Sequence, residues 1–283
     1  MAFAVAPAER WARQPQQGLP VDSGHPLARD LRFLISFGPN APYDHVSGTL
    51  GTPSGGPSIE TMRGGARAAK LDSAGSDFYS FAHRPEWEIL SAITLAWRGV
   101  IASGSNYRHF AGKHSSSGGS FNPFDFRTDN SAAPKPTIVR ATGGASTGNY
   151  ESTTALTVGA ISTVEVTQGA FVSDVPSFYV NGLLTGTTTL SGGSAAPPAG
   201  TGDPIRVGRR TDGAVQMDGY TEYLAGWGRI LTATELAEFR ARPYALIKQT
   251  PRRVYFITAG AGPSFQAAWA ARSNAVIQGA LHA

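Results

Sequence analysis

Aromatic rings and hydrogen-bonding side chains lie close together in the loop-rich part of the chain that ends at Tyr150. An exposed aromatic ring beside paired hydrogen-bonding groups is an arrangement that recognises a sugar. Long loops at one end of a β-sandwich are a common place for binding residues. The pattern predicts that six residues form glycan-binding loops: Asn106, Tyr107, His109, Asn122, Phe124 and Tyr150.

Residues that could carry out catalysis are few and poorly spaced. Retaining glycoside hydrolysis needs two carboxyl groups about 5 Å apart, and the nearest acidic pair, Glu86 and Glu88, flanks Trp87 at a predicted strand end. The histidines lack the i, i+4 spacing of a helical zinc site, and the chain has no cysteine. The sequence therefore predicts a non-enzymatic protein with no catalytic residues and no cofactor.

Two aspartates in the turn of residues 72–77 allow two interpretations. Asp72 and Asp77 could bind calcium together with further oxygen ligands, or they could accept hydrogen bonds from the amides of their own turn. The surrounding sequence offers no further oxygen ligands. We therefore expect turn capping here and no metal site.

The composition favours a fold made of strands and turns. Glycine and proline number 34 and 19, and charged residues make up only 16% of the chain, against about 25% in typical domains. Alternating and β-branched runs predict strands joined by long loops. The predicted strands are Leu31–Phe37, two short strands around the 72–77 turn, 88–100, 108–113, 124–128, 155–159 and 162–168.

The Asn181-Gly182 pair lies between two apolar runs. Both residues tolerate the positive φ angles of a type I′ turn, so the pair predicts a two-residue β-hairpin. A later strand, ending at Trp227, alternates two sets of residues that both include aromatics. We expect both faces of that strand to be covered, and we interpret Glu222 as a residue of one face and not as a ligand.

A short helix should follow this strand. Thr232 and Glu235 have the spacing of a capping box. Leu231 and Leu236 have the spacing of a hydrophobic staple. The helix should end by residue 242, because Pro243 disfavours helical backbone in the residue before it.

Both ends of the chain differ from the middle. Residues 1–26 contain four prolines and no periodic pattern, which predicts an extended N-terminal arm. Residues 258–283 hold too few apolar side chains for a core and too many to expose, which predicts a C-terminal arm. A sandwich domain would then span residues 27–257. We expect Trp11, Phe265 and Trp269 to anchor the arms on other subunits, although Trp11 could equally fold back onto its own domain.

Several motifs carry a family resemblance. They are the hairpin FYVNGLLTG, the strand IRVGRR, the run GYTEYLAGWGRILT with the ATEL that follows it, and the strand pair KLDSAGSDFYSF. Together they resemble the laminin-G-like, or concanavalin A-like, family over residues 27–244. The resemblance implies an all-β fold, a two-sheet antiparallel jelly-roll sandwich with one short C-terminal helix and extended arms at both termini.

The order of a proline-rich arm, this domain and an apolar tail resembles accessory proteins of tailed bacteriophages and prophages. This second resemblance implies a non-enzymatic structural protein of a phage-type virion, either a decoration or a tail-associated subunit. Its partners would be other virion subunits, in a homo-oligomer or a capsid or tail lattice. The alternative hypothesis is a carbohydrate-binding module or host-surface adhesin, whose partner would be a surface glycan.

Charge and hydropathy argue against two other classes of partner. The net charge of +4 lies within residues 206–253, which hold nine basic and five acidic residues, whereas a nucleic-acid footprint is usually denser and interleaved with aromatics. No stretch approaches the about 20 apolar residues of a membrane span, and the first ten residues lack a basic leader. We expect no nucleic-acid binding, no membrane insertion, synthesis in the host cytoplasm and a final location in the virion.

Overall fold

Two antiparallel sheets face each other and form a sandwich. The computed structural model describes residues 14–15, 18–38, 41–62, 65–89, 91–104, 106–113, 121–142, 147–170, 173–192 and 202–248. The all-β class and the single short helix predicted from the sequence are confirmed.

Seventeen strands and one α-helix make up the regular structure of these residues. The strands are β1 Leu31–Phe37, β2 Pro42–Asp44, β3 Thr52–Ser54, β4 Ser58–Thr61, β5 Arg67–Leu71, β6 Phe78–Phe81, β7 Ile93–Ile101, β8 His109–Lys113, β9 Phe121–Thr128, β10 Pro136–Thr142, β11 Thr147–Ser152, β12 Ile161–Gln168, β13 Ser177–Val180, β14 Leu183–Thr185, β15 Thr187–Ser191, β16 Ile205–Val207 and β17 Gly219–Trp227. Helix α1 is Ala233–Ala241, and short 3₁₀ turns cover Pro26–Ala28 and Pro85–Trp87.

The strands divide between the sheets in a fixed order. The first sheet runs β14-β13-β12-β7-β17-β1-β2, with β5 also paired to β17 and β4 paired to β5. The second sheet runs β15-β11-β10-β9-β8-β16-β6-β3. Strands β7 and β17 therefore lie in the middle of the first sheet, and strands β8 and β9 lie in the middle of the second.

The core between the sheets is built from stacked aromatic rings. Trp97 of the first sheet stacks on Phe110 of the second at 4.1 Å between ring centroids, and Phe33 stacks on Phe124 at 5.9 Å. A Cβ on Gly226 would lie only 2.3 Å from the Phe33 ring. The ring thus occupies the space that any larger residue at that strand position would need.

The outer face of the first sheet is also covered. Helix α1, the segment before β1 and the segment after the helix bury a second apolar cluster that includes Trp227 and Phe239. The Trp227 indole donates to the Leu27 carbonyl at 2.8 Å, and Lys248 donates its amide to the Pro20 carbonyl at 2.8 Å. The described part of the predicted N-terminal arm therefore lies against the sandwich.

Helix α1 begins as its sequence predicts. The Thr232 hydroxyl accepts from the Glu235 amide at 3.2 Å, and the Glu235 carboxylate accepts from the Thr232 amide at 2.8 Å. Leu231 and Leu236 are buried, and the helix ends at a C-cap on Arg242. Nowhere in the described ranges is a helix long and apolar enough to span a membrane.

The β13–β14 hairpin is confirmed, with φ angles of 50° at Asn181 and 84° at Gly182. Other predictions of local structure need correction. The strand predicted at 88–100 begins only at Ile93; before it, the Ile89 and Ser91 carbonyls accept from the Arg140 side chain and not from a neighbouring strand. The strand predicted at 155–159 is a turn, in which Ala160 donates its amide to Thr157. Strands β10, β11 and β15 lie in stretches predicted to be mostly loop.

A β-bulge in β17 changes which side chains share a face. Thr221 pairs with Gly99 and Tyr223 with Arg98, so Glu222 is the extra residue. Simple alternation placed Glu222 on the same face as Leu224, whereas in the structure Leu224 joins the core between the sheets and Glu222 contacts Arg98 and Tyr244. The interpretation of Glu222 as a strand-face residue agrees with its ion pair to Arg98 at 3.2 Å.

Candidate functional site

The outward face of the second sheet carries a group of charged side chains at its centre. In β9, Phe124 and Phe126 point into the core, so Asp125 and Arg127 lie on the opposite face. The register of β8 and β9 pairs His109 with Arg127. These three residues therefore share the outward face. The run FDFR lies in the strand predicted at 124–128, but Asp125 and Arg127 were not predicted as site residues.

Asp125 is the centre of this charged group. Its carboxylate lies 3.3 Å from Nε2 of His109, 3.4 Å from Nη1 of Arg127 and 3.7 Å from Nη1 of Arg210. Burial alone would raise the pKa of Asp125, but the His109 contact and the two arginine charges hold it below its ordinary value. Burial lowers the pKa of His109. At pH 7 the pair is thus an ionised carboxylate beside a neutral imidazole.

Glycine makes room for this arrangement. A Cβ on Gly112 would lie 2.8 Å from Nε2 of His109. Both ring nitrogens of His109, both oxygens of Asp125 and Nε of Arg127 are buried without a well-aligned hydrogen bond. The group is held by charge and shape, with polar atoms left unsatisfied beneath the surface.

A pocket of about 240 Å³ opens beside this group. It is lined by Ser73, Asn106, Tyr107, Arg108, Ala214 and Gln216. The guanidinium of Arg127 lies 4.6 Å from the centre of the Tyr107 ring, in cation–π geometry. Because Tyr107 is still 38% exposed, its ring is fixed from one side and accessible from the pocket.

Two further groups define the chemistry of the pocket. The guanidinium of Arg108 donates to the Ser103 and Gln216 carbonyls at 3.0 and 3.4 Å, so this residue supports the pocket wall. Gln216 donates its side-chain amide to the Gly213 carbonyl at 3.0 Å, while its Oε1 is buried without a partner. The pocket thus combines the exposed Tyr107 ring with the exposed amide side chain of Asn106.

The structure separates the six residues predicted to form glycan-binding loops. Asn106 and Tyr107 line the pocket, and His109 lies buried under it in contact with Asp125. Phe124 and Tyr150 are in the core between the sheets, where no surface ligand reaches them, because strand alternation turns both rings inward. Asn122 lies in β9, and its side chain is outside the described part of the structure.

The other predicted sites have separate outcomes. Trp11, Phe265 and Trp269 lie outside the described residues, so attachment through the arms, the virion location and the subunit partners stay predictions. Asp72 accepts from the Ala74 amide at 2.8 Å, and Asp77 accepts from the Asp72 amide at 3.2 Å, as capping of their own turn requires. Asp77 also accepts from the Gly56 amide at 2.6 Å and so ties the turn to another loop. Within the ranges that the structure describes, no three acidic or histidine residues come together as a metal site.

Comparison with known proteins agrees with this fold. Residues 74–237 match the Laminin_G_3 family, described as the concanavalin A-like lectin/glucanases superfamily. No curated protein matches the sequence.

Solved structures with the same fold include bacterial binding domains. The binding domain of botulinum neurotoxin DC in complex with SialylT has a TM-score of 0.54 and 11% identity, over 76% of this chain and 52% of that chain. Domain 4 of AbnA, an extracellular arabinanase from Geobacillus stearothermophilus, in complex with arabinotriose, has a TM-score of 0.54 and 11% identity, over 74% of this chain and 97% of that one.

The chain spans about half the length of the toxin binding domains that it matches. At 11% identity these likenesses concern the fold alone. The family match, in contrast, rests on sequence and covers more than half of the chain. Since the observed two-sheet sandwich agrees with that match, the chain belongs to the concanavalin A-like lectin/glucanases superfamily.

Proposed function

We propose that this protein is a carbohydrate-binding module that takes a glycan in the pocket beside Tyr107. The observation that carries the proposal is a fixed, 38% exposed Tyr107 ring that lines a pocket together with the exposed side chain of Asn106. A sugar ring packs its C–H face on an aromatic ring and presents hydroxyl donors at its rim. Hydroxyls at that rim can hydrogen-bond to the side-chain amide of Asn106.

The remaining lining supports the same ligand class. Asn106 is exposed and can both donate and accept, and Ser73 adds a hydroxyl on the opposite loop. The volume of about 240 Å³ suits one or two sugar units at an open surface. No residue of this lining is poised for acid–base chemistry, so we infer binding without turnover.

The comparisons support a glycan ligand in this fold. Two of the similar structures are complexes, one with SialylT and the other with arabinotriose. A third concerns botulinum neurotoxin type C, whose cell entry is described as dependent on two ganglioside molecules. These descriptions favour a surface glycan as the partner of this chain over the virion subunits that its arms predicted.

Tyr107→Ala should weaken glycan binding about 30-fold, because truncating an anchoring aromatic costs about 2 kcal/mol. A glycan array identifies the ligand, and isothermal titration with the strongest hit measures both proteins. The matched control is Tyr220→Ala, since Tyr220 lines a separate apolar pocket of about 550 Å³ on the first sheet.

The two variants separate three results. Loss of binding in Tyr107→Ala alone supports the pocket proposed here. Loss in Tyr220→Ala alone would move the site to the first sheet and contradict the assignment. An array that stays negative at high protein concentration would contradict the carbohydrate-binding function itself.

A further inference from the structure

Two arginines lie next to the glycan pocket on the outward face of the second sheet. Arg206 is in β16, between Ile205 and Val207, which both point into the core. Its guanidinium lies 4.8 Å from the centre of the Phe78 ring, and the guanidinium of Arg209 lies 6.0 Å from the same ring. Both cations therefore share one aromatic support.

The two guanidinium groups are incompletely satisfied. Nε of Arg206 and Nε of Arg209 are both buried without a hydrogen-bond partner, and Nη1 of Arg206 reaches the Thr211 carbonyl only at 3.5 Å. Burial, and then the charge of Arg209, lower the pKa of Arg206, with Asp203 acting in the opposite direction. Two like charges are thus held near one another at a cost in free energy.

Neighbouring charges do not remove this excess. Arg210 donates to Asp212 at 2.9 Å, and Asp125 is already contacted by Arg127 and Arg210. Asp125 and Asp212 are therefore engaged with other arginines, and Asp203 is the acidic group whose charge acts on Arg206. An external anion is the partner that would satisfy Arg206 and Arg209 together.

Backbone geometry seats Arg209 beside the pocket. Gly213 has a φ of +74°, which favours glycine, and a Cβ there would lie 2.6 Å from Nη2 at the end of the Arg209 side chain. Arg209 also forms a backbone bridge with Gln216, which lines the pocket. A ligand that contacts Gln216 therefore lies next to Arg209, the residue opposite Gln216 in this bridge.

We propose that Arg206 and Arg209 form an anion subsite over Phe78 that selects glycans carrying a carboxylate or sulfate group. The glycan part of this inference rests on the proposed function. A planar guanidinium matches both anions through paired N–H donors, and hydrogen bonds between oppositely charged groups are stronger than neutral ones.

The test compares matched neutral, carboxylated and sulfated forms of one oligosaccharide, titrated against the whole protein. The wild type should bind an acidic form about 10- to 100-fold more tightly than the neutral form, as hydrogen bonds to charged groups imply. This preference should shrink as salt concentration rises. Carboxylated and sulfated forms tested separately distinguish the two sources of charge.

Arg206→Gln and Arg209→Gln, made singly, should reduce the preference toward unity while leaving neutral binding unchanged. Because two positions are tested, the other variant can still contradict the proposal if one of them fails to fold. The matched control is Arg29→Gln, whose side chain is 80% exposed. Equal affinity of the wild type for neutral and acidic forms, or a preference that survives both substitutions, overturns the subsite.

Inorganic sulfate separates this inference from the proposed function. In an NMR titration, the Nε–H signals of Arg206 and Arg209 should shift with sulfate and should not shift with chloride. If no glycan binds, the carbohydrate-binding function fails, and the sulfate titration still decides whether the arginines bind an anion. If neutral glycans bind while sulfate leaves both signals unmoved, the subsite fails and the function stands.

Discussion

Arg140→Met should lower the free energy of unfolding by about 3 to 5 kcal/mol, because it strands backbone acceptors inside the sandwich. The Arg140 side chain is fully buried in β10 on the inner face of the second sheet. It donates to the Ile89 carbonyl at 2.7 Å, the Ser91 carbonyl at 2.9 Å and the Pro123 carbonyl at 3.1 Å. Burial lowers its pKa to about 10, so it keeps its charge at pH 7.

The loss should be large because the partners are backbone groups. A buried ion pair can often be replaced by apolar residues at little cost, since both charges leave together. The carbonyls of Ile89 and Pro123 cannot be mutated away, and each would stay buried without a donor. Methionine fills nearly the same volume, so the measured loss would report hydrogen bonding and charge more than packing.

Urea unfolding followed by tryptophan fluorescence measures this effect, and Arg29→Met is the exposed control, expected to change stability by less than about 0.5 kcal/mol. Arg140→Lys should also be destabilised, because one ammonium cannot replace the fork of a guanidinium across separate acceptors. If Arg140→Met unfolded at the same midpoint urea concentration as the wild type, the carbonyls would have found other hydrogen-bond donors.

The sequence did not predict the hydrogen bonds by which Arg140 connects the two sheets, because they depend on contacts between distant parts of the chain. The Thr232 and Glu235 capping box and the Asn181-Gly182 hairpin depend on residues within one turn of each other, so their pattern predicts them fully. The burial of Arg140 depends on Ile89, which is far along the chain and on the other side of the sandwich. A lone arginine in a polar stretch normally indicates an exposed position.

The residues of the candidate site likewise include some that local sequence predicted and some that it did not. Asn106 and Tyr107 were predicted because long polar loops are exposed and commonly carry binding residues. Asp125 and Arg127 were missed, although the alternation of Phe124 and Phe126 was sufficient to place them on the outward face. The contact of Arg209 with the Gly213 turn could not be predicted, since it depends on a positive φ that one glycine among 34 provides.

Arg240→Met should cost about 3 to 5 kcal/mol at pH 7, because it leaves a buried carboxylate without its cation. Nε of Arg240, in helix α1, donates to Oε1 of Glu165 at 2.8 Å, and the Glu165 side chain is only 1% exposed. The other oxygen of Glu165 is buried without a hydrogen bond. The pair attaches the helix to strand β12 of the first sheet.

The free energy of unfolding lost in Arg240→Met should increase as pH rises. Burial raises the pKa of Glu165 above its ordinary value, and Arg240 partly opposes that rise. Removing Arg240 raises the folded-state pKa further. Between the unfolded pKa near 4.5 and this raised value, the folded state binds more protons than the unfolded state, so stability falls as pH rises. The difference between wild type and variant should therefore be smallest below about pH 4.5 and largest above neutrality.

Urea unfolding of both proteins from pH 4 to pH 8 measures this difference directly, with Arg242→Met as the exposed control on the same turn. Adding Glu165→Gln to Arg240→Met should recover part of the stability at pH 8 and little at pH 4, because the amide removes the charge that lost its partner. A gap that stays constant across this range would show that Arg240 stabilises helix α1 through the packing of its aliphatic stem.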